Sequence, residues 1–174
     1  MTQPVLFATP DSDIAPATED AVVGVNSSDY KGKVSEAAFA YQAVLRGWEV
    51  IDAGGAADYD RIIKRPSTRS MLVQVKRAYR DEARTLYVVN CSRSRKGASG
   101  RVQYSTTAFD ILAVHLADVD QWVFYTRVEL GNRTRATYIL PHERKNKTSI
   151  IACDARDPNN WHLLDEVAAS LSRQ

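Results

Sequence analysis

The sequence predicts an α+β sandwich, a mixed β-sheet flanked by an N-terminal and a C-terminal helix, on three observations. Apolar residues recur at intervals of three and four over residues 30–46 and again over 161–171, the period of a helix with one buried face. Between them, the run from Met71 to Lys76 alternates polar and apolar side chains, the period of a strand. Residues 109–116 and 121–128 are apolar runs joined by Ala117-Asp118-Val119-Asp120, the pattern of a hairpin deep in a sheet. Helices at the two ends of a series of strands bury their stripes by packing on the sheet. A chain of 174 residues fits one domain and encloses a core without metals or disulfides as staples.

The elements follow in order. Residues 1–27 hold Pro4, Pro10 and Pro16 among short polar side chains, and form a flexible arm in which only Val5-Leu6-Phe7 has anything to dock. Residues 28–174 are then a single domain. Its first helix places Val34, Ala37, Ala38, Tyr41, Val44 and Leu45 on the core side and closes at Gly47. A strand over 48–51 comes next. Gly54-Gly55 has no helix signature after it and is a turn rather than a phosphate loop. Residues 59–64 and 70–78 pair as an antiparallel hairpin, because Pro66 keeps 65–69 out of a central strand. A strand over 85–91 follows. Residues 92–100, with Arg93, Arg95, Lys96 and two glycines, have the composition of a mobile loop able to meet a phosphate backbone. A last strand over 137–140 stops at Pro141, and the helix over 161–171 closes the chain.

Composition removes several classes of function. No run approaches the roughly 18 apolar residues of a membrane span, and no basic segment leads into an apolar one at the N-terminus, so the expectation is a cytoplasmic protein without a membrane partner. Cys91 and Cys153 stand far apart, with His115, His142 and His162 scattered, which argues against a zinc site and for free core thiols. The net charge is only +2, yet residues 61–101 hold twelve Lys or Arg against Asp81 and Glu82, leaving eleven basic and nineteen acidic residues elsewhere. Such a segment suits a polyanion.

Within it lies a group of side chains with a chemistry. Gln74 and Lys76, two apart on a strand, share one face, and Asp60 begins the neighbouring strand of the hairpin. A hard cation such as Mg2+ takes oxygen ligands and keeps waters, so the Asp60 carboxylate, the Gln74 amide and the Val75 carbonyl suffice beside a phosphate. Lys76 orients a water, sheds a proton to become a base, or neutralises charge developing on the phosphoryl oxygens. Glu36 sits beside Ala37 and Ala38, small enough to bring its helix close to the sheet, and a buried acid there needs a partner in Lys76 or a metal-bound water. Asp58 competes with Asp60 for its role but lies two residues further from Ile62-Ile63.

Gly32 to Glu36, Leu45-Arg46-Gly47-Trp48-Glu49-Val50, Tyr59-Asp60-Arg61-Ile62-Ile63 and Val73-Gln74-Val75-Lys76-Arg77-Ala78 together resemble the PD-(D/E)xK nuclease superfamily over roughly residues 30–128. The superfamily includes Holliday-junction resolvases, restriction enzymes and intron-encoded homing endonucleases. The resemblance implies a restriction-endonuclease-like core with Glu36 as the helix acid, Asp60 as the metal-binding aspartate, Gln74 at the usual Asp/Glu position and Lys76 as the lysine. Tyr59 replaces the pattern's proline, and Gln74 replaces a charged ligand by a neutral one. It implies a Mg2+-dependent endonuclease, Mn2+ substituting, that cuts double-stranded DNA at specific sites in the homing or restriction manner. The alternatives are a junction resolvase and a catalytically silent DNA-binding module. An RNA nuclease is weaker, as no stacking aromatics accompany the basic segment. Lys31, Lys33, Arg77, Arg93, Arg95, Lys96 and Arg101 are the expected DNA contacts, with base-reading donors in the basic loop and in residues 127–147. One centre per chain must be paired to cut both strands, which calls for a homodimer or a tetramer.

Overall fold

The computed structural model describes residues 27–54, 57–83, 85–94, 101–146 and 156–173. The expected arm lies outside these residues apart from Ser27. Helix α1 (Ser28–Leu45) is capped by the Ser27 hydroxyl, which accepts from the Tyr30 N–H, and ends where Gly47 turns the chain at φ +79°. Strands β1 (Glu49–Asp52), β2 (Arg61–Lys64), β3 (Met71–Arg77), β8 (Ile111–Leu116) and β9 (Gln121–Thr126) form a five-stranded sheet in that spatial order. Only β3 and β8 run parallel in it, so the sheet is mixed as expected.

One face of this sheet carries α1 and the closing helix α3 (His162–Leu171). Phe39 and Ala43 of α1 and Leu164 and Ala168 of α3 meet Ile63, Met71, Val73, Val75, Ile111, Ala113 and Phe124. Phe39 stacks on Trp161 at 5.7 Å, and Phe124 meets the same indole edge-on at 4.8 Å. The other face receives a second sheet of β10 (Arg135–Tyr138), β5 (Leu86–Asn90) and β4 (Tyr79–Asp81), where Tyr87, Val89, Ala136 and Tyr138 pack on Leu112, Val114, Val123 and Tyr125. Covered from both sides, β8 is buried at every position. Cys91 is buried too, and burial pushes its thiol up to about 11, an inert core side chain. Among the described residues no helix is long and apolar enough to cross a membrane.

Four expectations need correction. The stripe assigned to the core on α1 is the wrong one: Val34, Tyr41, Val44 and Leu45 are exposed, and Ser35, Phe39 and Ala43 are buried. Both faces of the helix have apolar side chains, and periodicity does not say which faces the sheet; the large Phe39 ring, flanked by small residues, does. The strand expected over 85–91 forms, but in a second sheet that the single mixed sheet of the expectation did not include. The ends of the basic loop are strands rather than coil, β6 (Ser92–Ser94) paired antiparallel with β7 (Arg101–Gln103), with residues 95–100 outside the described ones. The run over 121–128 breaks at Thr126, which caps the short helix α2 (Arg127–Leu130): its hydroxyl accepts from the Glu129 N–H at 3.2 Å and the Glu129 carboxylate accepts from the Thr126 N–H at 2.8 Å.

Candidate active site

The β2–β3 hairpin places the group. Arg61 pairs with Val73 and the Asp60 N–H donates to the Val73 carbonyl at 2.9 Å, so Asp60 continues the ladder directly opposite Gln74. The side chains meet: Asp60 Oδ2 accepts from the Gln74 amide and, at 2.8 Å, from the Val75 N–H. The same Gln74 amide nitrogen donates to the Val75 carbonyl at 3.1 Å. It thus sits between two oxygens that sequence reasoning named as ligands. Burial lifts the Asp60 carboxyl above its usual range, aided by the negative charge of Glu36; the Val75 N–H, Lys76 and Arg61 oppose the rise.

Lys76 lies two residues beyond Gln74 on the same side of β3, with its ammonium 5.8 Å from the centre of the Tyr104 ring. Tyr104 is in turn fixed from behind. The buried Arg127 guanidinium donates to the carbonyls of Tyr104 at 2.7 Å, Ser105 at 2.8 Å and Gly131 at 2.6 Å. Glu36 enters from α1 with a side chain 13% exposed and finds Lys33 at 3.1 Å and Arg61 at 3.4 Å, rather than the expected Lys76. Arg61 also donates to the Asp60 carbonyl at 2.7 Å and faces Asp52 at 3.4 Å, joining the helix acid to the hairpin. The seat of α1 is fixed by a buried polar contact: Ser35 Oγ lies 3.0 Å from His115 Nδ1, whose Nε2 is 3.4 Å from Asp120 and whose ring stacks on Trp122 at 4.4 Å.

Glu36, Asp60, Gln74, Val75 and Lys76 open into one groove of about 780 Å3, lined as well by Lys31, Lys33, Arg77, Tyr79, Arg80 and Asp118. Three of the expected DNA contacts, Lys31, Lys33 and Arg77, therefore share a surface with the centre. Arg93 does not line it and is paired with Asp58, which removes Asp58 as a rival to Asp60. Arg95 and Lys96 lie outside the described residues, as does the Arg101 side chain. The basic segment is also less concentrated than its order in sequence suggests. Lys64 pairs with Glu49 at 3.3 Å and Arg65 with Asp165 at 2.6 Å, the latter over the Trp48 ring, while Arg80 is spent on Glu143 and Glu82. Sequence reasoning missed Arg61 and Tyr104 and misplaced Arg127, expected among the base-reading donors of residues 127–147 and instead buried on three backbone carbonyls; only Arg61 had a signal, its place beside Asp60.

The donor set suits a hard divalent cation. Among the described residues no three His, Cys, Asp or Glu side chains gather. The centre holds one carboxylate and one backbone carbonyl as oxygen donors; the Gln74 amide meets both through its nitrogen, so its own oxygen joins them only with the amide turned over.

A family model described as PD-(D/E)XK endonuclease matches residues 26–156. The structure is similar to that of a bacterial homing endonuclease, I-Ssp6803I, with a TM-score of 0.69 and 21% identity over 83% of this chain and 97% of that one. At that identity the likeness concerns the fold. No curated protein matches the sequence.

Proposed function

The chain belongs to the PD-(D/E)XK endonuclease family, and from that premise we propose that it hydrolyses phosphodiester bonds of double-stranded DNA with a divalent cation, Mg2+ or Mn2+, at Asp60, Gln74 and Val75. The observation that carries the proposal is the cross-strand pairing of Asp60 with Gln74 on the floor of the groove, with Lys76 next on the same side of β3. When bound, the cation supplies a water more acidic than bulk and a Lewis acid for the phosphate. The chain's residues do the rest. Asp60 and the Val75 carbonyl fix the position of the charge, and Lys76 offsets negative charge building on the phosphoryl oxygens. Glu36, held by Lys33 and Arg61, adds a second acid at the helix end of the groove. Lys31, Lys33 and Arg77 take the flanking phosphates.

Site-specific double-strand cleavage is the form of the reaction we favour over junction resolution, because the segment 92–101 carries Arg93, Arg95, Lys96 and Arg101, donors of the kind that read base edges in a groove. A copy paired by two-fold symmetry then presents a second centre to the opposite strand. The test is cleavage of plasmid, mixed-sequence duplex and four-way junction with and without Mg2+. Discrete fragments from duplex, lost in Asp60→Asn, fit the proposal; equal cutting of junctions of unrelated sequence supports resolution instead. A second reading has an observation of its own, the neutral Gln74 where the family pattern has an acid. If the wild-type protein shifts duplex in a gel yet cuts no substrate under any divalent metal, the fold is here a binding module.

A further inference from the structure

Helix α1 has two apolar faces, and only one is used inside the chain. Phe39 and Ala43 are fully buried against the sheet. Tyr30, Val34, Tyr41, Val44 and Leu45 are 47%, 42%, 63%, 57% and 62% exposed. At 3.6 residues per turn these five fall within an arc of roughly 100°, on the opposite side of the helix from Phe39. A second apolar stripe left open on a helix is a candidate contact surface. The stripe is also ordered: positions 30, 34, 37, 41 and 44 alternate steps of four and three, the spacing of a seam between two helices, with the small Ala37 at its middle where the axes can come close.

We infer that this face of α1 is an interface between two copies of the chain, joined by a two-fold axis. A seam of this spacing is complementary to itself, as an isologous contact requires. The five side chains expose apolar area on the order of 500 Å2, in the upper part of the range for the largest patch on a monomer, a patch that often serves a contact. Two copies then cover on the order of 1,000 Å2, where specific association begins, with rim residues adding to it. Two tyrosines suit such a surface, since each covers a large area and keeps its hydroxyl at a wet edge. No ionised acid sits in the stripe: Asp29 and Glu36 lie to one side of it, and Glu36 is held by Lys33 and Arg61. The inference rests on exposure and spacing and does not depend on the proposed activity.

Sedimentation of the full chain across a range of concentrations tests it. The wild type is expected as a dimer that dissociates on dilution, and Val34→Glu with Tyr41→Lys weakens self-association by at least about 30-fold, as loss of central anchors does. Leu45→Lys, at the exposed end of the helix, is a milder second variant and moves the equilibrium the same way. Both keep the wild-type unfolding temperature at concentrations where every form is monomeric. A wild type that is monomeric throughout overturns the inference. So does a dimer indifferent to all three substitutions, or a loss of monomer stability in Leu45→Lys, which means that residues 1–26 or another part of the same chain cover the face. Nuclease assays on the same samples read the other proposal separately.

Discussion

Strands β3 and β8 lie side by side and parallel in the same sheet, yet they fill the same layer with opposite chemistry. Where β8 places Leu112 and Val114 into the core beneath the second sheet, the registered positions of β3 hold Gln74 and Lys76. β8 is buried at all six positions and β3 turns polar halfway along. A strand that spent those two positions on apolar side chains would gain stability at each, on the order of 1–2 kcal/mol. That β3 does not, next to a neighbour that does, marks the pair as kept for something other than folding.

The largest expected effect separates the two strands. Asp60→Asn, which keeps the shape of the group facing β3, lowers cleavage by about 100- to 1,000-fold. In the presence of a chelator the same substitution leaves the unfolding temperature unchanged or higher. The sign follows from Asp60: burial raises its folded pKa above the unfolded value, so the ionised carboxylate works against the fold at neutral pH and its removal relieves that. Thermal melts and a cleavage time course check both halves. Leu112→Ala on β8 does the reverse, costing roughly 2–5 kcal/mol in denaturant unfolding while activity per folded molecule is retained. If Leu112→Ala abolishes cleavage by protein shown to be folded, the division between the strands fails.

A sharper version exchanges one atom of the centre. Gln74→Glu restores a second negative charge opposite Asp60, so half-maximal cleavage is reached at about 10-fold less Mg2+, while the metal-free protein loses stability through carboxylate repulsion. A Mg2+ requirement unchanged by Gln74→Glu places the cation elsewhere. The smallest effect concerns His115, which holds α1 to β8. Burial keeps its imidazole below the ordinary value of 6.5, so the folded chain holds it neutral where the unfolded chain takes up a proton. Its contribution to stability is present above pH 6.5 and is lost as the pH falls through the lowered value. Denaturant midpoints measured from pH 8 to pH 5 should fall more steeply for the wild type than for His115→Gln.

Sequence legibility followed the range of the forces involved. That Asp60, Gln74 and Lys76 come near one another was legible because strand parity and the short β2–β3 connection set it locally, and all three line one groove. The mixed sheet and both flanking helices were readable from their periods. Which face of α1 is buried was not, since Phe39 on one side and the Tyr41 stripe on the other satisfy the same period, and the choice is made by Trp122 and Trp161 far along the chain. The partners of the basic residues were equally hidden: Arg65 meets Asp165 and Arg80 meets Glu143 only after folding. The capping box at Thr126 and Glu129 was legible as a Thr-x-x-Glu pattern, but the apolar run through Val128 masked it.

The central claim is that the polar half of β3 is a phosphodiester-cleaving centre. The most direct measurement is the single-turnover rate of duplex cleavage in saturating Mg2+ for the wild type and Lys76→Ala, on protein whose unfolding temperature is the same. The account predicts cutting by the wild type and a loss of about 100-fold or more in Lys76→Ala with duplex affinity little changed. Equal rates for the two proteins would contradict it.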